Sequence, residues 1–130
     1  MKSAAFKVVI ILVAGLALGA CRGGSPVYNV NSANMATPAD ATLDKVAYAI
    51  KRAGISKGWQ MVETGPGAIE GRLNLRTHVA VVTITFDTKL FSIAYKDSSN
   101  LKYDGSTIHK NYNSWVQNLE RAILQQTAMM

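Results

Sequence analysis

Two histidines and eight carboxylates are the side chains of this chain that could carry acid–base or metal chemistry. His78 and His109 stand far apart in sequence, and neither has a cysteine or a pair of carboxylates beside it at ligand spacing. Because a metal site usually needs three or four ligands, no metal site is predicted. The carboxylates occur singly, whereas acid–base catalysis needs two groups within reach. Since no nucleophile elbow or phosphate-binding glycine loop occurs either, we predict no catalytic residue, no cofactor and no enzymatic activity.

The densest group of polar side chains lies in the last third of the chain. Its members are Ser98, Ser99, Asn100, Tyr103, Asp104, His109, Tyr112 and Asn113. They could form a loop that binds a ligand or peptide, and within it Asp104 and His109 could do general acid–base work. In a purely structural interpretation, Asp104 begins a turn, the serines cap and the aromatic rings pack. Both interpretations stay open at this point.

Cys21 is the single cysteine, and it directly follows an apolar segment. Lys2 and Lys7 precede thirteen residues, 8–20, that carry no charge. A membrane-spanning helix needs about twenty apolar residues, whereas a basic start, a short apolar stretch and small residues at its end are typical of a secretory signal. We therefore expect residues 1–20 to be an export signal. An exported protein with one cysteine cannot form an internal disulfide, so this thiol is expected to be modified.

The end of the apolar segment, Leu18-Gly19-Ala20-Cys21, resembles the lipobox of bacterial lipoproteins. The resemblance implies that a signal peptidase cleaves between Ala20 and Cys21, and that Cys21 carries a diacylglyceryl thioether and an N-acyl group. Three acyl chains would hold the protein stably on a membrane, because one chain binds only marginally and two bind stably. In lipoproteins of diderm bacteria an aspartate after the cysteine tends to signal inner-membrane retention. Arg22 stands there instead, so the resemblance implies the outer membrane, facing the periplasm.

Several motifs further along the chain carry a second resemblance. They are Gly54, Gly58-Trp59, Pro66-Gly67, Gly71-Arg72-Leu73, Ser98-Ser99-Asn100-Leu101, Ile108-His109-Lys110-Asn111-Tyr112-Asn113, Trp115-Val116 and Asn118-Leu119-Glu120. Over roughly residues 40–126 the chain is similar to a family of small proteobacterial lipoproteins with no assigned activity. The resemblance implies a fold and no function.

Removal of residues 1–20 would leave 110 residues, a length that suits one domain. Two lysines would leave with the signal, so the net charge would fall from +6 to +4. This mild excess contains no basic run and predicts no nucleic-acid binding. It fits a solvated surface or weak attraction to acidic envelope groups. Residues 21–38 are rich in glycine, proline and asparagine, and are predicted to be the lipidated cysteine and a flexible tether, with the folded domain at 39–130.

The domain is predicted to begin and end with a helix. Asp40 or Thr42 can cap the first helix, and Gly54 is expected to end it. Strands at 58–64, 69–76, 78–86 and 91–96 are joined by short turns that indicate antiparallel hairpins. Ser106 or Thr107 can cap the last helix. The apolar stripe of that helix is Ile108, Tyr112, Trp115, Val116, Leu119, Ala122 and Ile123.

The predicted fold is therefore α+β in the order α-β-β-β-β-α. Both the N-terminal and the C-terminal helix are expected to pack on one face of a four-stranded antiparallel sheet. The sheet residues expected to meet the helices are Leu73, Val82, Ile84 and Ile93. The opposite face is expected to be open and to carry Arg72, Arg76 and Lys96.

A cationic open face at a membrane could bind an envelope protein or an acidic envelope polymer, and an exposed edge strand could accept a partner strand. We therefore predict a membrane-anchored lipoprotein whose small periplasm-facing domain is a binding or adaptor module. The alternative is an envelope enzyme that acts through the polar site around Asp104 and His109. That alternative requires the His109 ring to reach a carboxylate at hydrogen-bond distance inside a pocket.

Overall fold

The computed structural model describes residues 24–130, so the predicted export signal and Cys21 lie outside the described residues. The elements of this part, in chain order, are β1 (Ser25–Pro26), β2 (Val30–Asn34), α1 (Leu43–Ser56), β3 (Gln60–Gly65), β4 (Ala68–Leu75), β5 (His78–Phe86), β6 (Leu90–Ser99), β7 (Thr107–Ile108) and α2 (Lys110–Ala128). The predicted α+β class is confirmed. No helix within residues 24–130 is long and apolar enough to cross a bilayer.

The main sheet has five antiparallel strands in the order β2-β6-β5-β4-β3. Strands β3 to β6 correspond to the four predicted ones, and the prediction of a four-stranded sheet is wrong because β2 adds a fifth. The predicted order α-β-β-β-β-α is also wrong, because β1 and β2 precede α1 and β7 precedes α2. Val30 of β2 lies opposite Ile93, and Asn34 lies opposite Leu90. A separate two-stranded sheet joins β1 to β7. Val30 is the one buried residue of β2. The sequence of β2 therefore lacks the alternation of apolar and polar residues that indicates a strand.

Most of the segment predicted as a flexible tether is part of the fold. Val30 and Met35 are 4% and 6% exposed and belong to the core, and the Met35 N–H donates to Lys89 O at 2.8 Å. The tether prediction is therefore wrong from Ser25 to Met35. Pairing along a sheet edge satisfies the backbone groups of this segment, so it needs few apolar side chains to be held in place.

Gly54 does not end α1. The helix continues to Ser56, and Gly58, with φ +88°, makes the turn that follows. Gly54 is buried within the helix, where a Cβ atom would lie 2.3 Å from the Met61 sulfur. The predicted end at Gly54 is wrong because this glycine allows α1 to approach β3 closely, rather than supplying a left-handed cap.

The predicted helix caps are right for one helix and wrong for the other. The Thr42 hydroxyl accepts a backbone N–H of the first turn of α1 at 3.3 Å, as predicted. At α2 the capping residue is His109, whose Nδ1 accepts the Asn111 N–H at 3.1 Å. Ser106 and Thr107 do not cap α2, because Thr107 is the first residue of β7, which pairs with β1 and separates Ser106 from the helix.

Both helices bury their apolar residues against the same face of the main sheet. All four sheet residues predicted for this face, Leu73, Val82, Ile84 and Ile93, are in the core. The helices contribute Val46, Ile50, Tyr112, Val116, Leu119 and Ile123. Full burial of a large apolar side chain stabilises by roughly 1.5–3 kcal/mol. No helix of residues 24–130 covers the other face of the sheet, here called the helix-free face.

The strand directions define two ends of the domain. The end at which β5 begins, here called the His78 end, also holds the β4–β5 turn and the start of β3. Helix α2 begins there, because the His109 and Trp115 rings lie 6.5 and 6.0 Å from the His78 ring. The opposite end, here called the Asp87 end, holds the β5–β6 and β3–β4 turns and the start of α1.

Candidate functional site

The polar residues predicted as a binding loop fall into separate hydrogen-bond groups. The Asp104 carboxylate accepts the backbone N–H groups of Ser106 and Thr107 at 3.0 and 2.7 Å, and the Thr107 hydroxyl at 2.8 Å. The Thr107 and Ser106 N–H groups lower the pKa of the Asp104 carboxyl to about 2. An ionised carboxylate bound by these donors has little affinity for a proton, so Asp104 is a poor general base. Its hydrogen bonds instead fix the turn before β7.

His109 lies at the start of α2 and is not paired with an acid. Its ring accepts the Asn111 N–H, and within residues 24–130 it forms no hydrogen bond or ion pair with a carboxylate. The enzyme alternative requires a carboxylate at hydrogen-bond distance from this ring. The structure does not bring Asp104 and His109 together in that way.

The His109 ring instead lies beside the ring of His78, a residue 31 positions earlier in the sequence. His78 Nδ1 donates to the Asn100 carbonyl at 2.7 Å, because a carbonyl oxygen can only accept. His109 Nδ1 accepts, so when both rings are neutral their protons are on opposite nitrogens. The described residues contain no group of three or more metal-ligating side chains, and two imidazoles are fewer ligands than a metal site usually has.

Asn100 joins two parts of the His78 end. Its side-chain amide donates to the Thr77 hydroxyl at 2.7 Å, while its carbonyl accepts from His78. Its φ of +58° is left-handed, a conformation that asparagine tolerates better than most residues. Asn100 therefore connects the end of β6 to the β4–β5 turn and has a structural role there.

Tyr112 is a core residue, and its prediction as a binding residue is wrong. It is fully buried, its hydroxyl has no hydrogen-bond partner among residues 24–130, and burial raises the pKa of the Tyr112 phenol. Its ring meets the Tyr95 ring edge-on at 5.7 Å. Tyr112 also belongs to the apolar stripe predicted for the last helix, and that pattern predicts its buried position correctly.

Tyr103 is the exposed aromatic residue of the predicted loop. Its ring stacks on that of Tyr95 at 4.0 Å and stays 42% exposed. The Tyr95 hydroxyl is paired with the Ser98 hydroxyl at 2.6 Å, and burial raises the pKa of Tyr95. Tyr103 and Ser98 thus meet around Tyr95, but this group includes neither Asp104 nor His109.

Asn113 binds the N-terminal segment of its own chain. Its Oδ1 accepts the Tyr28 N–H at 2.9 Å, and its Nδ2 donates to the Pro26 carbonyl at 2.9 Å. The Tyr28 hydroxyl donates to Glu120 at 2.6 Å, and this hydrogen bond raises the pKa of Tyr28. No local pattern marks such a contact, because the partners lie more than eighty residues apart.

The helix-free face of the sheet is largely exposed to solvent, although Val81 in its middle is buried. Cross-strand register places Gln60, Arg72, Val81 and Asp97 in one line across it, and Val62, Glu70, Thr83 and Ala94 in the next. Ser99 lies on the same face, opposite Val79. Lys96 lies at a β-bulge in β6, where the register shifts between Val81 and Val82.

This face carries charges of both signs, so the prediction of a cationic face is wrong. Lys96 forms an ion pair with Glu70, and Asp97 lies in the same line as Arg72. Arg76 is not on the face, because it occupies the β4–β5 turn with φ +56°. The structure therefore places two of the three predicted cations on this face and balances them with two carboxylates.

Strand β3 forms one edge of the main sheet. It pairs with β4 on one side and with no other strand of the described residues. Val62 is 60% exposed on the helix-free face, while Glu63 on the other face forms an ion pair with Lys51 of α1 at 3.0 Å. The backbone groups on the outer side of β3 are therefore available to a partner strand.

Comparison with protein-family models, with curated proteins and with solved structures found no match for this chain. Its function is therefore inferred from its residues and their geometry.

Proposed function

We propose that this chain is a lipoprotein of the cell envelope, anchored through lipids on Cys21, whose domain is a non-enzymatic binding or adaptor module. The lipobox-like end of the apolar segment supports the anchor, and Arg22 after the cysteine supports the outer membrane, with the domain facing the periplasm. A lipid anchor of two or more chains holds a protein on a bilayer without a spanning helix.

The helix-free face of the sheet is the observation that supports a binding role. It presents small and apolar side chains, such as Val62 and Ala94, between charges of both signs. A protein partner can complement both signs, whereas an acidic polymer would be repelled by Glu70 and Asp97. We therefore propose an envelope protein as the partner. No observation favours the enzyme alternative, because Asp104 and His109 belong to separate hydrogen-bond groups.

Mass spectrometry of the protein extracted from cell membranes tests the anchor. We expect the first residue of the mature chain to be Cys21 carrying a diacylglyceryl thioether and an N-acyl group. A Cys21→Ser variant should keep its leader and lack the lipid mass. An intact leader or a free thiol in the unaltered protein would reject the proposal.

A photo-crosslinking amino acid at Ala94 tests the binding face. A matched control carries it at Gln117, which is exposed on α2. In intact cells we expect one envelope protein to be crosslinked from position 94 and not from 117. Arg72→Glu should reduce that adduct about tenfold, whereas Arg121→Glu, which makes the same charge change on α2, should not. Equal adducts at both positions, or an adduct indifferent to Arg72, would exclude this face.

A further inference from the structure

The connection between the proposed lipid and the folded domain is short. Three peptide units separate Cys21 from Gly24, and even fully extended they span about 11 Å. Gly24 packs directly on β7, because a Cβ there would lie 2.6 Å from the Ile108 carbonyl oxygen. Ser25 lies opposite Ile108, so the chain leaves the domain beside His109, at the His78 end. A lipidated Cys21 would therefore hold the bilayer surface close to this end.

Four exposed cations of the described residues lie at the same end. Lys57 follows α1, Arg76 occupies the β4–β5 turn, Lys102 follows β6, and Lys110 begins α2. None of the four forms an ion pair within residues 24–130. The carboxylate of Asp104 in the neighbouring loop stays ionised, because the Ser106 and Thr107 N–H groups stabilise its charge, and it offsets one of the four cations. The His78 end is therefore positively charged.

The Asp87 end has the opposite balance of charges. Its connections and the first turn of α1 hold Asp40, Asp44 and Asp87 against Lys45 and Lys89. β5 runs between the two ends over nine residues, which corresponds to about 26 Å. This separation exceeds the Debye length of about 8 Å at physiological ionic strength, so a charged surface at one end acts little on the other.

We propose that the His78 end is a membrane-docking surface that binds acidic phospholipid headgroups. This inference rests on the proposed lipid anchor. Each lysine or arginine near an acidic bilayer raises binding about fivefold, and Leu75, which is 44% exposed in the β4–β5 turn region, adds apolar contact. The docked domain stands with its strands pointing away from the membrane, which leaves the helix-free face and the β3 edge accessible from the side.

Fluorescence quenching on vesicles tests this orientation. Full-length lipidated protein is reconstituted with vesicles of phosphatidylcholine alone or mixed with phosphatidylglycerol, each containing a headgroup-attached quencher. The thioether blocks Cys21, so an introduced cysteine is the single reactive thiol. Labels are placed at Asn111→Cys, at the His78 end, or at Thr64→Cys, near the Asp87 end. We expect quenching at position 111 to exceed that at 64 severalfold on acidic vesicles, and the ratio to fall on neutral vesicles or at high salt.

Two matched double variants locate the effect. Arg76→Asn with Lys110→Gln removes a turn cation and a helix-start cation at the His78 end, and asparagine tolerates the left-handed φ of position 76. Lys45→Gln with Lys89→Gln removes a helix-start and a turn cation at the Asp87 end. We expect only the first pair to reduce the quenching ratio on acidic vesicles to its value on neutral ones.

The outcomes separate the two proposals. An equal effect of both double variants, or a ratio that does not depend on acidic lipid, overturns the docking surface while the anchor stands. Failure of the protein to co-float with any vesicle rejects the lipid anchor itself and removes the basis of the docking surface.

Discussion

The side-chain amide of Asn113 holds the backbone of Tyr28 through a 2.9 Å hydrogen bond from the Tyr28 N–H. The same amide donates to Pro26, and the Tyr28 hydroxyl reaches Glu120 two turns further along α2. These hydrogen bonds hold the N-terminal segment, residues 26–28, against the last helix, and this contact is here called the strap. This strap, rather than a mobile linker, determines where the chain leaves the domain.

Replacing Asn113 should loosen the strap. Asn113→Ala removes two hydrogen bonds to backbone groups, each contributing about 1 kcal/mol, so we expect a loss of about 1–2 kcal/mol in the free energy of unfolding. Hydrogen exchange at the Tyr28 amide should accelerate more than exchange in the sheet. Asn118→Ala is the control, because Asn118 bonds to Arg121 of the same helix. Unchanged exchange at Tyr28 in Asn113→Ala would contradict the strap.

Removal of the Tyr28 hydroxyl should cost stability. Tyr28→Phe loses a partly buried hydrogen bond to a carboxylate, and we expect a loss of about 1 kcal/mol by chemical denaturation. The bond raises the folded-state pKa of Tyr28, so its contribution is fully present below about pH 10 and is lost as the pH rises through that raised pKa. The difference between wild type and variant should shrink with alkaline pH. If the difference in free energy of unfolding stayed constant with pH, the hydroxyl would not stabilise the fold by donating its proton to Glu120.

The same substitution at Tyr112 should not reduce stability. The Tyr112 hydroxyl is buried without a hydrogen-bond partner in the part of the chain that the structure describes, and an unpaired buried polar group costs about 1–3 kcal/mol. We expect Tyr112→Phe to be neutral or to raise the free energy of unfolding by about 1 kcal/mol. Tyr112→Ala, which empties a core position, should lose about 3–5 kcal/mol. A clear loss in Tyr112→Phe would reveal a hydrogen-bond partner for the hydroxyl.

Acid should weaken the turn that Asp104 fixes. Its folded-state pKa of about 2 lies below the ordinary value of 3.8, so its stabilising contribution is present above about pH 4 and is lost as the pH falls towards 2. We expect the thermal stability of wild type to fall faster over this range than that of Asp104→Asn. Asp40→Asn, an exposed carboxylate outside this turn, should behave like wild type. An NMR titration midpoint near 4 for Asp104 would contradict the assignment.

Gly54 should tolerate alanine only if Met61 is made smaller. Alanine favours a helix by about 1 kcal/mol over glycine, but a Cβ at position 54 meets the Met61 side chain at 2.3 Å, and overpacking costs about 1–3 kcal/mol. We expect Gly54→Ala to lose about 1 kcal/mol in wild type and to gain about 1 kcal/mol in a Met61→Ala background. Equal effects in the two backgrounds would mean that the glycine does not serve this contact.

The hairpin strands were predictable because their signals are local. β4 alternates apolar and polar residues, and Pro66 and Gly67 mark the turn before it. β1 and β2 lack such a signal, since what holds them is pairing with β7 and β6, about sixty to eighty residues later in the chain. Residue types that are typical of tethers therefore form strands here, because hydrogen bonds to backbone groups far away in sequence hold them in place.

The candidate site was less predictable than the fold. Asp104 and Asn113 have residue types that suit ligand binding, yet they hold the turn before β7 and the N-terminal segment. Polar side chains serve either purpose, and sequence alone does not locate their partners. The approach of His78 to His109 was likewise hidden, because it depends on the start of a strand and the start of a helix meeting at one end of the sheet.

The pairing of β1 with β7 also constrains how the protein can be made. A ribosome delivers Ser25 about eighty residues before Ile108, its partner in this ladder. Contacts of such long sequence separation slow folding. The β6 edge is covered by a different early segment, β2, and it is exposed to other strands until β2 pairs with it. Native closure of the N-terminal segment therefore has to wait until β7 and the start of α2, which supply its partners Ile108 and Asn113, have been added to the chain.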